Sequence, residues 1–196
     1  MDNKIFLKYR SLLEKYIKPE GIKWIYFGWN TPNRKYHTVK HLEDVIDFIE
    51  ENKIKISSLV EYETLLLAAF FHDVIYDAKK NDNEDLSISF FEHYYNHEDK
   101  NVKRNVISLI ETTKHRKIPR NPLEKLFWQA DNEILTRKFY ALKEYEKKIR
   151  TEFLFVPKKI YKEKRIEFLK SNLGLFSTKV DDNLYRLIDW VENKYK

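Results

Sequence analysis

Cysteine is absent from the 196-residue chain. That excludes disulfides, thiolate metal sites and a cysteine nucleophile, so any metal has to be held by imidazole and carboxylate. Glycine and proline are scarce, with three and five copies, which deprives a turn-rich β architecture of its usual punctuation and favours helices. Long hydrophobic runs are missing as well. The longest strongly apolar stretch, Leu65 to Phe71, is far too short to cross a bilayer, and the amino terminus carries Asp2, Lys4 and Lys8 where a secretory signal needs unbroken apolar residues. The expected setting is the cytoplasm, without a membrane partner.

What is present describes a globular chain. Apolar residues make up 42% and charged residues 35%, enough to form a core and keep it in solution. The length, with no repeat, linker or second composition regime, leads us to expect one domain over residues 1–196. The formal charge of +6 would suit nucleic acid or small anions, but the lysines are scattered among 31 acidic residues. That dispersion favours a solvated Lys-rich surface over a nucleic-acid footprint.

Apolar periodicity predicts helices through most of the chain. Ile5 to Tyr16 forms the first, with Pro19-Glu20-Gly21 closing it, and an aromatic loop is expected from Trp24 to Lys35. Thr38 then caps a helix whose buried stripe is Leu42, Val45, Ile46 and Ile49, which places His41 beside that stripe. A further helix is expected from Leu59 to Tyr76, with Leu65, Ala68, Ala69 and His72 on one face. A loop at Lys79–Asn83 precedes a helix through Phe91, and Val102, Val106, Leu109 and Ile110 mark another that stops near His115, before Pro119. Leu123 to Ala130, Phe139 to Phe153, Lys159 to Leu173 and Asp181 to Tyr195 complete an all-α reading.

Four fragments carry chemistry: Arg34 to His41, Ala68 to Tyr76, Thr112 to His115, and Gln129-Ala130-Asp131. A lone histidine on an amphipathic helix is more often packed than ligating. However, His72-Asp73 ends the most hydrophobic helix, where a buried carboxylate is costly unless it meets a cation. His41, His72, Asp73 and Asp131 together make a mixed nitrogen and oxygen donor set suited to Mn, Fe, Zn, Ni or Mg.

This order of residues, a first His, an adjacent His-Asp pair and a later Asp, resembles the HD superfamily. The fuller set is Arg34-x-Tyr36-His37-x-x-x-His41, Ala69-Phe70-Phe71-His72-Asp73-x-x-Tyr76, Asn83-Glu84-x-x-Ser87, Thr113-Lys114-His115 and Ile149-Arg150-x-Glu152-Phe153. It is similar to the bacterial family of predicted metal-dependent HD phosphohydrolases over roughly residues 30 to 170. Gln129 departs from that family's tendency to carry an aspartate there.

The resemblance implies a single HD-type helical bundle and a divalent metal on His41, His72, Asp73 and Asp131. His115 is a further candidate, for a second metal or a phosphate contact, against an ordinary surface histidine. Asp73 is the expected water-activating carboxylate. His37 is a candidate general acid by similarity to cyclic-nucleotide phosphodiesterases, with capping or packing as the alternative. Glu84 would support a ligand or activate water, with a capping role alongside Asn83 and Ser87 in competition.

Arg34, Lys114 and Arg150 are the candidate phosphate-binding cations, each with an ordinary surface charge as its rival. The implied substrate is a small phosphate ester, most naturally a nucleotide, whose base Trp24, Tyr26, Phe27 or Trp29 would stack on unless they are core. The alternatives are a regulatory HD module that binds metal or nucleotide without turnover, and a basic helical domain for nucleic acid.

Overall fold

The computed structural model describes residues 3–114 and 119–195. Among the described residues the protein is all-α: eleven α-helices, two short 3-10 turns, and no strand beyond one isolated bridge between Ile17 and Tyr95. The chain divides into two compact units, Met1–Asp131 and Asn132–Lys196.

The first unit holds α1 (Lys4–Lys8), α2 (Arg10–Tyr16), α3 (Pro19–Trp29), α4 (Val39–Glu51), α5 (Leu59–Phe71), α6 (Asn83–Tyr94), α7 (Lys100–Thr112) and α8 (Pro122–Asp131). Helix α5 is its axis. Every residue from Thr64 to Phe71 is buried, the signature of a helix that is apolar all round and therefore enclosed by others. Helices α4, α6, α7 and α8 pack against it. The Ser58 hydroxyl accepts from Glu61 N at 3.1 Å while the Glu61 carboxylate accepts from Ser57 N at 2.9 Å, satisfying two amides at the helix start. Thr38 caps α4 as expected, accepting from Lys40 N, and Leu42, Val45, Ile46 and Ile49 are buried.

Three expectations are corrected. The first helix is divided at Tyr9 into α1 and α2. Pro19 opens α3 instead of closing the first helix, so the aromatic stretch is helical as far as Trp29. Proline suits the first helical position because the amide it lacks has no intrahelical partner there. Gly21 is needed inside this helix because a Cβ would stand 2.6 Å from Tyr94 Cγ. Helix α5 ends at Phe71, not Tyr76. The chain tightens there, Val74 N donating to Phe71 O at 3.2 Å, and farther on the amides bond to another helix, Ile75 N to Ser87 Oγ at 3.2 Å and Asp77 N to Asn83 Oδ1 at 2.9 Å.

The second unit holds a 3-10 turn at Glu133–Thr136, then α9 (Phe139–Glu152), α10 (Lys158–Ser171) and α11 (Thr178–Lys194). Helix α11 packs on α9 and α10, with Leu184, Leu187, Ile188 and Val191 buried along its stripe. Inside the unit Glu146, fully buried, accepts from Arg165 Nε at 2.5 Å and from Tyr161 OH at 2.6 Å. The guanidinium lies 4.7 Å from the ring centroids of both Tyr145 and Phe168. The units also differ in charge. The first has 21 basic and 21 acidic residues and the second has 16 and 10, so the whole excess of +6 belongs to the second.

Candidate metal centre

Three segments of the first unit converge on one point. Helix α4 supplies His41, the turn after α5 supplies His72 and Asp73, and the last residue of α8 supplies Asp131. His41 and His72 are buried, 4% and 1% exposed. Their Nε2 atoms stand 3.2 Å apart. Asp131 Oδ1 lies 3.3 Å from His41 Nε2 and 3.5 Å from His72 Nε2, and Asp73 Oδ2 lies 3.8 Å and 3.4 Å from the same two atoms. Donor atoms about 2.0–2.2 Å from one shared cation stand about 3–3.5 Å from each other; His41, His72 and Asp73 are grouped closely enough that they could hold one ion, and Asp131 approaches both imidazoles from α8.

The tautomer of His72 points the same way. Its Nδ1 lies 2.9 Å from the carbonyl oxygen of Ala69, which can only accept. In the neutral ring the proton therefore sits on Nδ1 and the lone pair on Nε2 faces the cluster. Two imidazole nitrogens and two carboxylates aimed at one another demand positive charge between them. Burial favours the neutral imidazole of His72, yet the charges of Asp73 and Asp131 outweigh it and raise its pKa to about 9. Burial likewise opposes the charge on Asp73, but the neighbouring His72, with His37 and His41 behind it, holds its carboxyl far below the usual range. Either a proton or a metal cation answers that demand, and the donor set suits a borderline or hard divalent ion.

His37 sits beside this cluster. Its ring stacks on Tyr76 with centroids 4.0 Å apart and lies 5.8 Å from the ring of His41. Arg34 is buried, and its bonds go to the protein backbone: Nη1 donates to Asp73 O at 2.6 Å and Nη2 to Val74 O at 3.0 Å. Lys114 pairs with Asp85. Arg150 lies in the second unit, where it donates to the carbonyls of Phe153 and Val156 at the end of α9. Glu84 is half-buried in the first turn of α6. Its neighbours Asn83 and Ser87 are buried and bind the backbone of Asp77 and Ile75. His115 lies outside the described residues.

The aromatic residues proposed for base stacking separate. Trp29 is core and donates from Nε1 to Phe70 O at 2.8 Å. Tyr26 packs edge-on against Phe6. Trp24 and Phe27 are exposed. Sequence reasoning missed Trp29 as a neighbour of the centre, although its ring centroid is 5.4 Å from that of His72.

No protein-family model matches this chain, and a search of curated proteins finds no match.

Proposed function

We propose that the protein is a metal-dependent phosphohydrolase of the HD type, cleaving a phosphate ester of a nucleotide or related small molecule. The observation that carries this reading is the convergence of His41, His72, Asp73 and Asp131, the four residues that the sequence resemblance implies as ligands. A divalent cation held by these four would polarise a phosphoryl oxygen and lower the pKa of water.

The remaining roles fall to the chain. The Asp73 carboxylate, which the bound cation would keep ionised, takes the proton of the attacking water. His37, oriented by stacking on Tyr76, returns a proton to the leaving oxygen. Lys114 meets a phosphate by exchanging its ion pair with Asp85, which costs little at a partly solvated site. Arg34, bonded to main-chain carbonyls, acts on geometry in this scheme more than on substrate charge, and Arg150, whose bonds lie within the second unit, has no part in it.

The test is elemental analysis of wild type beside Asp73→Ala, followed by phosphate release from a nucleotide panel with added Mn²⁺. Wild type is expected to hold metal and release phosphate and the variant to do neither. A wild type that holds no metal sinks the reading.

A second reading, a helical domain that binds nucleic acid, draws on the second unit's excess of positive charge. It predicts metal-independent binding that weakens steeply with salt.

A further inference from the structure

His72 and Asp73 do not sit on a helix. Helix α5 ends at Phe71, with His72 as its cap still bonded to Ala68 O, and Asp73 lies in the turn beyond the helical ladder. A helix end also leaves its last carbonyls without intrahelical donors. Here the last four carbonyls of α5, and two of the turn, each have an identifiable donor. Ala68 O accepts from His72 N at 2.9 Å and Ala69 O from His72 Nδ1. Phe70 O accepts from Trp29 Nε1 at 2.8 Å, and Phe71 O from Val74 N at 3.2 Å. Asp73 O and Val74 O accept from the two arms of Arg34.

The donors from outside the turn come from one short stretch, the end of α3 and the segment after it. Gly28 lies in the same stretch and presses on the same backbone: a Cβ there would stand 2.5 Å from Val74 O. Downstream, Ser87 and Asn83 hold Ile75 and Asp77 from the other side. The ligand-bearing turn is thus clamped through its main chain by side chains outside the donor set. Such support is what sets the affinity and geometry of metal sites, and its loss characteristically costs 10–100-fold in affinity.

We infer that Trp29 and Arg34 are positioning residues of the metal centre, acting through the carbonyls of Phe70, Asp73 and Val74 to hold His72 and Asp73 on the cation. Gly28 makes the approach possible. The inference rests on the metal-site reading above.

Co²⁺ alone is the probe, since its visible spectrum reports both binding and coordination geometry. The full-length chain is titrated as wild type, Trp29→Phe, Arg34→Gln, Arg34→Lys and Gly28→Ala, and each metal-free form is melted in parallel. Trp29→Phe keeps an aromatic ring and removes the N–H donor. It is expected to weaken Co²⁺ about 10-fold with an altered spectrum, Arg34→Gln toward about 100-fold, with Arg34→Lys between wild type and Gln. Gly28→Ala should reproduce the spectral change with both donors in place.

If the folded variants bind Co²⁺ with wild-type affinity and spectrum and only the metal-free melts fall, the residues are merely structural and the inference is overturned while the metal site stands. If one variant does not fold, the other three decide by the same criterion. If wild type binds no Co²⁺, both the inference and the metal-site reading fail.

Discussion

Both units draw carboxylates away from solvent, Glu146 fully and Asp73 and Asp131 in part, and they neutralise these in opposite ways. In the second unit Glu146 meets a guanidinium and a phenol supplied by the same unit, Arg165 and Tyr161. In the first unit Asp73 and Asp131 meet the imidazoles of His41 and His72, groups that give a lone pair to a metal as readily as they take a proton. A buried acid with its own arginine is a closed structural element. A half-buried acid facing imidazole nitrogens is open to a cation from outside. Glu124, buried in α8, shows that the first unit also uses the closed form: it accepts from Arg120 N at 2.7 Å, from Arg120 Nη2 at 2.8 Å and from Ser108 Oγ at 2.7 Å.

The contrast is sharpest when one partner is removed. Arg165→Ala leaves Glu146 ionised and enclosed, a change that characteristically costs about 3–5 kcal/mol. Denaturant unfolding should show this loss equally with and without chelator, and a loss that vanished on adding metal would erase the distinction between the units.

The next effect belongs to the open cluster and depends on pH. With its pKa raised to about 9, His72 in the metal-free protein contributes stability that is fully present below its ordinary value of 6.5 and fades as pH rises through about 9. A metal must displace that proton, so apparent affinity should climb with pH across this window by up to about 1.4 kcal/mol per pH unit. Melting temperatures of loaded and chelated protein, compared from pH 6.5 to 9.5, read this directly, and a gap that narrows as pH rises would contradict it.

The smallest effect tests the closed pair of the first unit. Burial would raise the pKa of Glu124, but the donors from Arg120 and Ser108 win and lower it to about 2. Its contribution is present above the ordinary value and lost as pH falls toward 2. Because Arg120 is exposed, it should amount to at most about 1 kcal/mol. Glu124→Gln should flatten acid unfolding by that amount, with no change in metal content.

How much of this was legible in sequence follows from the range of each interaction. The stripes of α4, α7 and α11 are local, and their periodicity marks which faces are buried. The stripe Ile22, Ile25, Trp29 of α3 is equally readable, but Pro19 and Gly21 have the look of a stop. What permits Gly21 inside a helix is contact with Tyr94, which no local pattern announces. The end of α5 is hidden for the same reason, since Ser87 and Asn83 capture the amides of Ile75 and Asp77 from another helix. At the centre, the donor residues were visible by type and order, whereas their convergence required the fold. Trp29 and Arg34 act on backbone carbonyls about 40 positions away, and a carbonyl acceptor leaves no trace in side-chain chemistry.

The four donors also have a topological meaning. His41 and His72 are 31 positions apart, and Asp73 and Asp131 are 58 apart. A single ion held by them would pin α4, the end of α5 and α8 to one point and close both loops at once. Closing long loops is where a cross-link removes most freedom from the unfolded chain. In a protein without cysteine, the cation would therefore act as the staple that disulfides supply elsewhere, and stripping it should loosen the first unit as a whole.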